Sequence, residues 1–329
     1  MAVNRPEFLV LGAHGQLGQA FLSTLGRRAV GLDRSQLTLG DAPQTERVLR
    51  ALRPRVVINC AAFNQVDVAE TSGHEQALAA NARGPAQLAA LALRLDYRLV
   101  HFSTDYVFGA DGLRRPRGEE DEPAPLNFYG YSKLLGEQAV LATDPQSVAW
   151  PPLAGAALPL VGLWPGVARR QRTPALAHGV SELPRLVLRV AHLYGGRSLS
   201  PGRQNLADRF LRLARAGEPI AATRGQYLNP TYVGDVVAAT LSLLEHKVSG
   251  LLHLTGEGEC TVAEFAQAVC QAAGLRGTIR EVAADPRPAP RPRYTVLANL
   301  RLARLGFPPL PHWQVSLAQH ICASGSAQS

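Results

Sequence analysis

Cysteine is scarce. The chain has four in 329 residues, Cys60, Cys260, Cys270 and Cys322, and none forms a C-x-x-C pair. That spacing argues against both a disulfide framework and a thiolate zinc site, and it fits a reducing, cytoplasmic setting. An uninterrupted apolar run is also missing. The most apolar stretch, Val148 to Val167, carries Pro151, Pro152, Pro159 and Pro165, too many prolines for a membrane-spanning helix. The net charge is +8, yet the arginines are dispersed, as Arg27-Arg28, Arg114-Arg115-Pro116-Arg117, Arg169-Arg170 and Arg287 to Arg293. No dense basic block with interleaved aromatics is present, so nucleic acid is not expected as a partner. Anionic small molecules, nucleotide phosphates among them, suit this charge better. No internal repeat is visible. Met1 to Pro6 leads directly into a strand, so no secretory signal is expected.

What is present is an ordinary globular balance, 46% hydrophobic and 18% charged, in a chain long enough for one large domain or two moderate ones. Phe8 to Gly12 reads as a buried strand and Gln19 to Leu25 as a helix. Between them stands Gly12-Ala13-His14-Gly15-Gln16-Leu17-Gly18, a G-x-x-G-x-x-G turn. Glycines at such a turn let backbone approach a pyrophosphate, which sits at the helix N-terminus. Ala29 to Asp33 is the expected second strand. Asp33 at its end suits an adenosine ribose, while Arg34 suits a 2′-phosphate, so NAD and NADP both stay open.

Further along, Pro43 to Leu52 is expected to be a helix and Val56 to Cys60 a strand, followed by the small residues Ala61 and Ala62. A helix over Glu75 to Ala82 precedes Gly84-Pro85, and a second runs to Leu95. Asn81, among apolar neighbours, calls for a structural hydrogen bond. Arg98 to Ser103 is a strand with Thr104-Asp105 at its carboxyl end, where open parallel sheets place ligands. Thr104 can hold a substrate carbonyl, and Asp105 can organise the loop. Glu119 to Glu122 reads as a solvated acidic face. Pro145 to Pro184 lacks a clear period and reads as an insertion. Beyond it, Arg185 to Val190 resumes the sheet. Helices are expected over Gln204 to Ala216, Val233 to Glu245, Thr261 to Ala273 with Thr261 as N-cap, and Asn299 to Leu305. Leu251 to Gly256 is a strand, and Ser324 to Ser329 a frayed end.

Tyr129 and Lys133 stand four apart at the head of an apolar, helix-like run, Leu126 to Glu137. That spacing puts both side chains on one helix face. An ammonium beside a phenol favours phenolate and lowers the tyrosine pKa toward working pH. Such a tyrosine can pass a proton to a carbonyl oxygen as hydride reaches its carbon.

Taken together, GAHGQLG at 12–18, NCAAFNQVDVAE at 59–70, Asn81-Ala82, STDYVF at 103–108, PLNFYGYSKLLGE at 125–137, Arg189 and Pro230-Thr231 resemble the extended short-chain dehydrogenase/reductase family. Within it they are most similar to its dTDP-4-dehydrorhamnose reductase branch. The resemblance implies an α/β, Rossmann-type doubly wound parallel sheet with a smaller, discontinuous C-terminal substrate lobe. Residues 1–190 would form the cofactor domain, with the insertion at about 145–184. Residues 191–329 would form mainly the substrate lobe, with 230–255 returning to the first domain.

The implied reaction is reduction, by NADPH or NADH, of the 4-keto group of a nucleotide-activated 6-deoxysugar. Thr104 would bind the keto oxygen, Tyr129 would donate the proton, and Lys133 would hold the nicotinamide ribose and lower the Tyr129 pKa. Gly12, Gly15 and Gly18 would line the pyrophosphate, with Gln16 and Leu17 as backbone donors and Ala61 and Ala62 beside the cofactor. Asp33 and Arg34 would face the adenosine ribose. Thr104, Asp105 and His192 would face the sugar, His192 standing where the family has a tryptophan. Phe63-Asn64 replaces the family's histidine-threonine pair. Ala20 stands where some members carry an acidic residue tied to magnesium, so no metal is expected. A homodimer stays open. Two other readings remain at this level: a non-catalytic NADP-binding regulatory subunit, similar to that of methionine adenosyltransferase, and a nucleotide-sugar epimerase.

Overall fold

Strand β1 (Phe8–Leu11) is buried on both faces, and its side chains divide with period two. Phe8 and Val10 enter one core cluster and Leu9 and Leu11 another. The computed structural model describes residues 5–142, 144, 184–200, 202, 204–284 and 286–326. In order follow α1 (Gln16–Leu25), β2 (Ala29–Leu32), α2 (Ala42–Leu52), β3 (Val56–Asn59), α3 (Val66–Glu70), α4 (His74–Leu78) and α5 (Gly84–Leu95). Strand β4 (Arg98–Thr104), α6 (Phe128–Leu141) and β5 (Arg185–Val190) complete the first part. The expected insertion, Pro145 to Pro184, lies outside the described residues except for Pro184 itself.

The second part contains β6 (Leu193–Tyr194), α7 (Leu206–Arg215), β7 (Ile220–Thr223), β8 (Tyr227–Leu228), β9 (Thr231–Tyr232), α8 (Val233–Glu245) and β10 (Gly250–His253). It ends with β11 (Cys260–Thr261), α9 (Val262–Ala272), β12 (Ile279–Val282), α10 (Leu300–Arg304) and α11 (Trp313–Ser326).

Six described strands form one parallel sheet in the order β10-β5-β4-β3-β1-β2. One face packs on α1 and α8 through Leu17, Phe21, Val233 and Val237. The other packs on α2, α5 and α6 through Leu49, Leu88 and Val140. Helices on both faces of a parallel sheet make this the doubly wound α/β class. The strand order reverses between β1 and β3, so a crevice opens at the carboxyl ends of those strands. A separate cluster around Tyr194, Phe210, Phe265 and Trp313 is bordered by three two-stranded sheets: β11 with β8, β12 with β7 and β6 with β9.

Three expectations are corrected. Gly84-Pro85 does not interrupt the chain's helical path, which runs from His74 to Leu95 through a wider π turn at Ala79–Arg83. Pro85 falls in the first turn of α5, where its missing N–H and fixed φ are tolerated. The acidic run is not wholly solvated. Glu119 is buried and accepts from the backbone N–H groups of His253 at 3.0 Å and Arg301 at 3.2 Å, the second an otherwise open donor at the start of α10. The end of the chain is helical as far as Ser326, and residues 327–329 lie outside the description. Helix α11 itself has no counterpart among the sequence expectations. Among its described side chains, Trp313, Leu317 and Ile321 are the buried apolar ones, a stripe one residue wide.

Candidate active site

The glycine turn sits at the crevice. Gly12 adopts φ 77°, open to glycine at little cost, and its N–H donates to Leu32 O at 3.0 Å. A Cβ on Gly12 would lie 2.7 Å from Ala61 N, and one on Gly18 would lie 2.3 Å from Gly12 O. The end of β1, the head of α1 and the loop after β3 therefore meet with no room for side chains. Gly15 precedes α1 with extended backbone, and no side chain caps the helix. The first N–H groups of α1, from Gln16, Leu17 and Gly18, thus face the crevice unfilled by protein, as a pyrophosphate requires. Leu17 contributes through backbone only, because its side chain is buried in the core. Gln16 spends its side-chain amide on Gly195 O. Leu199 N reaches back to His14 O at 2.9 Å, so the loop after β6 lies on the glycine turn.

At the end of β2, Asp33 Oδ1 accepts from Ser35 N and Ser35 Oγ, each at 2.6 Å. Its other oxygen lies 3.1 Å from His14 Nε2. The Ser35 hydroxyl and amide hold this carboxyl below its ordinary pKa. Arg34 and Ala62 are exposed and Ala61 is half-buried, with Ala61 N bonded to Asn59 Oδ1 at 3.1 Å. His14 had no role in the sequence expectations; its place within the glycine turn is the signal that marks it.

Helix α6 carries Tyr129, Lys133 and Glu137 at successive turns. Two donors in its first turn are satisfied by side chains: Asn127 accepts from Gly130 N at 2.9 Å and Glu70 from Phe128 N at 2.7 Å. Two glycines let it approach other backbones. A Cβ on Gly130 would lie 2.0 Å from Tyr106 O, and one on Gly136 would lie 2.0 Å from Asn81 O. Asn81 has the structural role expected of it, joining Phe63 N and O at 2.8 and 2.9 Å and Ser132 Oγ at 2.9 Å. Its partners fix the loop after Ala61-Ala62 to α6.

Lys133 is buried, and its ammonium donates to Phe102 O at 2.5 Å and lies 3.4 Å from His101 Nε2. His101 in turn meets Asn59 Nδ2 at 3.0 Å. Burial lowers the Lys133 pKa to about 8, against the opposing pull of Glu137. Tyr129 lies instead on the Thr104 side, and its ring meets that of Tyr106 edge-on at 5.8 Å. Burial pushes the Tyr129 phenol up to about 12. The one neighbour that lowers it is Thr104, not Lys133 as the helical spacing suggests.

Thr104 Oγ1 also meets Asp105 Oδ1 at 2.9 Å. Asp105 is buried, and desolvation raises its pKa, with His192, Thr104 and Thr295 offsetting part of the rise. His192, in the turn between β5 and β6, has φ 40°, unusual for a residue with a side chain. Its Nε2 lies 3.5 Å from Asp105 Oδ2 and 3.1 Å from Thr295 Oγ1. The structure therefore brings Thr104, Asp105, Tyr129 and His192 together, with Lys133 one helical turn away and directed into the sheet. Thr295 joins them from the far part of the chain, and no local sequence pattern marks it.

A family model described as RmlD substrate binding domain matches residues 6–149 and 180–325. The chain belongs to that family. A dTDP-4-dehydrorhamnose reductase of Mycobacterium tuberculosis is 35% identical, with 100% of this chain and 97% of the relative covered. A dTDP-4-keto-6-deoxy-D-glucose reductase of Streptomyces niveus is 32% identical, with 95% of this chain and 96% of the relative covered. The crystal structure of a dTDP-4-dehydrorhamnose reductase from Bacillus anthracis, in complex with NADP, superposes with a TM-score of 0.78. It is 26% identical, with 97% of this chain and 99% of that chain covered. The family match leaves out residues 150–179, within the expected insertion.

Proposed function

We propose that this chain is an NAD(P)H-dependent reductase of the 4-keto group of a dTDP-linked 6-deoxysugar, converting dTDP-4-dehydro-β-L-rhamnose to dTDP-β-L-rhamnose. The observation that carries the reading is the grouping of Thr104, Tyr106 and Tyr129 at the carboxyl end of β4, on the same sheet edge as the uncapped head of α1. The names of the full-length relatives support the substrate class.

Gly12, Gly15 and Gly18, with the N–H groups of Gln16 and Leu17, would hold the dinucleotide pyrophosphate. Ala61 and Ala62 would flank it, and Asp33 and Arg34 would meet the adenosine ribose. The NADP complex of the Bacillus anthracis relative supports NADPH as the cofactor. A bound nicotinamide supplies the hydride. Thr104 holds the sugar's keto oxygen, and Tyr129 delivers the proton to it. With its pKa near 12 the phenol keeps its proton at neutral pH, the state a general acid needs. Lys133, one turn further along α6, would hold the nicotinamide ribose. Asp105 and His192 border the sugar. We assign 1–190 to the cofactor domain, joined by 230–255. The pairing of β10 with β5 and the packing of α8 on the sheet support that return. The remaining part of 191–329 forms the substrate lobe.

The test is cofactor absorbance with dTDP-4-dehydrorhamnose and other dTDP- and UDP-linked 4-keto sugars, NADPH and NADH side by side, for the unaltered chain and Tyr129→Phe. Turnover that falls roughly 10²- to 10⁴-fold in the variant is expected. Equal turnover removes Tyr129 as the acid. Absence of turnover on every sugar removes the reductase reading.

A further inference from the structure

Tyr129 stands in the first turn of α6, and the backbone N–H groups on either side of it, of Phe128 and Gly130, both end on buried side chains. Glu70 Oε2 accepts the first at 2.7 Å and Asn127 Oδ1 the second at 2.9 Å. Asn127 has a second bond that a helix cap does not need. Its Nδ2 donates to Pro290 O at 2.9 Å, in the irregular stretch 286–292 from the far part of the chain. A backbone donor on one side and a backbone carbonyl on the other fix which end of the amide is which. Aspartate would cap the helix as well but has no hydrogen to give. Serine and threonine carry one oxygen, too close to the backbone to serve both partners.

The stretch that Asn127 holds is a stiff strap. Pro286, Pro288, Pro290 and Pro292 stand at every second position, which fixes φ there and withdraws those backbone donors. With neither a helix nor a strand ladder over 286–292, side chains hold it in place. Asp67 on α3 accepts from Ala289 N at 3.3 Å and from Arg291 Nη2 at 2.8 Å. Ala289 is buried, and Pro292 lies so close to Gly109 that a Cβ there would stand 2.6 Å from the Pro292 Cβ. Just beyond the strap, Arg293 O accepts from Tyr227 N at 2.8 Å, and Thr295 Oγ1 meets His192 Nε2 at 3.1 Å. Helix α3 also carries Glu70, so the strap and the head of α6 are joined twice, once through α3 and once directly through Asn127.

We propose that Asn127 is a positioning residue that couples the strap 286–292 to the head of α6, so that Tyr129 stands in place to donate its proton only while the strap is seated. The inference rests on the reductase reading above. Two features carry it. The two amides so held flank Tyr129, so any shift of the helix head moves that ring first. The later turns of α6 are anchored separately, by Glu137 on Arg189, and do not depend on the strap. At its other end the strap leads to Thr295 and His192, which border the sugar in that reading. A sugar seated against that end steadies the acid through one side chain.

Two variants of the full chain separate the strap from the cap, with cooperative melting and NADPH binding as folding controls. Asn127→Ser keeps a capping oxygen and gives up the donor to Pro290 O. Pro290→Gly keeps that carbonyl and loosens the strap at an exposed side chain. The first measurement needs no substrate. Hydrogen exchange at the Phe128 and Gly130 amides, read by NMR, should speed about tenfold in Pro290→Gly, although neither amide has lost its own partner. Unchanged exchange overturns the coupling, whatever the enzyme's substrate. The second is kinetic. Each variant should lose about tenfold in kcat with the KM for NADPH nearly unchanged. The double variant should lose no more than the larger single loss, because both changes release one contact. An unchanged kcat in Asn127→Ser, or losses that multiply in the double variant, overturn the coupling and leave the reductase reading intact. Failure of the unaltered chain to reduce any sugar overturns both, even if the exchange moves.

Discussion

Arg189 on β5 and Glu137 on α6 form a two-bond ion pair, Nε to Oε1 at 2.9 Å and Nη2 to Oε2 at 2.7 Å, with both side chains buried. The guanidinium also lies over the Phe108 ring at 5.0 Å and 3.3 Å from His253 Nε2. Glu137 follows Lys133 by one turn and Tyr129 by two, so this pair fixes the helix that presents both. Arg185, on the same face of β5, bonds Val140 O and Ala142 O at the other end of α6. Loss of one partner leaves a buried charge uncompensated. Glu137→Ala should therefore cost about 3–5 kcal/mol of unfolding free energy. Denaturant melts of Glu137→Ala and of the double variant Glu137→Leu/Arg189→Met check this. The double variant should recover much of the loss, since neither charge is then stranded.

Lys133 makes stability depend on pH. Its pKa falls from 10.5 to about 8 on folding because burial disfavours the ammonium. Below pH 8 both states hold the proton and the full desolvation cost is present. Between pH 8 and 10.5 the unfolded chain holds it and the folded chain releases it, so the Lys133 contribution to stability rises with pH. The gain is about 3 kcal/mol across that window. Lys133→Met removes the titration. Its stability advantage over the unaltered chain should stay level below pH 8 and shrink as pH climbs to 10.5. A parallel course of the two stability curves would show that Lys133 is not buried as a cation.

Gly18→Ala and Gly26→Ala separate the geometry of the turn from a general glycine effect. A methyl at 18 meets Gly12 O at 2.3 Å, so α1 must move away from the turn. Dinucleotide affinity should fall at least about tenfold, roughly 1.4 kcal/mol. Gly26 has φ 53° with open space around it, so alanine there should cost about 1 kcal/mol of stability and leave affinity alone. NADPH titration by fluorescence reads the affinities, and denaturant melts read the stability.

The family match passes from 149 to 180. Replacing 150–179 by a short Gly/Ser linker should leave NADPH affinity within about threefold, less than roughly 1 kcal/mol. Abolished binding in a chain that still folds cooperatively would assign those residues to the cofactor site.

Local chemistry made the first half of the fold legible. The apolar strands, the glycine turn and the four-residue spacing of Tyr129 and Lys133 are short-range patterns, governed by side-chain period and backbone sterics, and each reappears in the structure within a few residues. Thr261 likewise caps α9 as its sequence indicates, with Glu264 completing a reciprocal capping box. Long-range packing was not legible in the same way. Glu119 reads as solvated until β10 and α10 cover it, and Thr295 carries no signal until it meets His192.

The sequence by itself determined which residue types could bind a dinucleotide and move a proton, because those abilities reside in a glycine's missing side chain, a phenol and an amine. Only the tertiary structure decided where the Lys133 ammonium points and that Thr104, not Lys133, is the neighbour favouring the Tyr129 phenolate. Those outcomes depend on Phe102, His101 and Thr104 from a separate strand. The proton affinity of a buried group is set by its surroundings in space, whatever their distance along the chain.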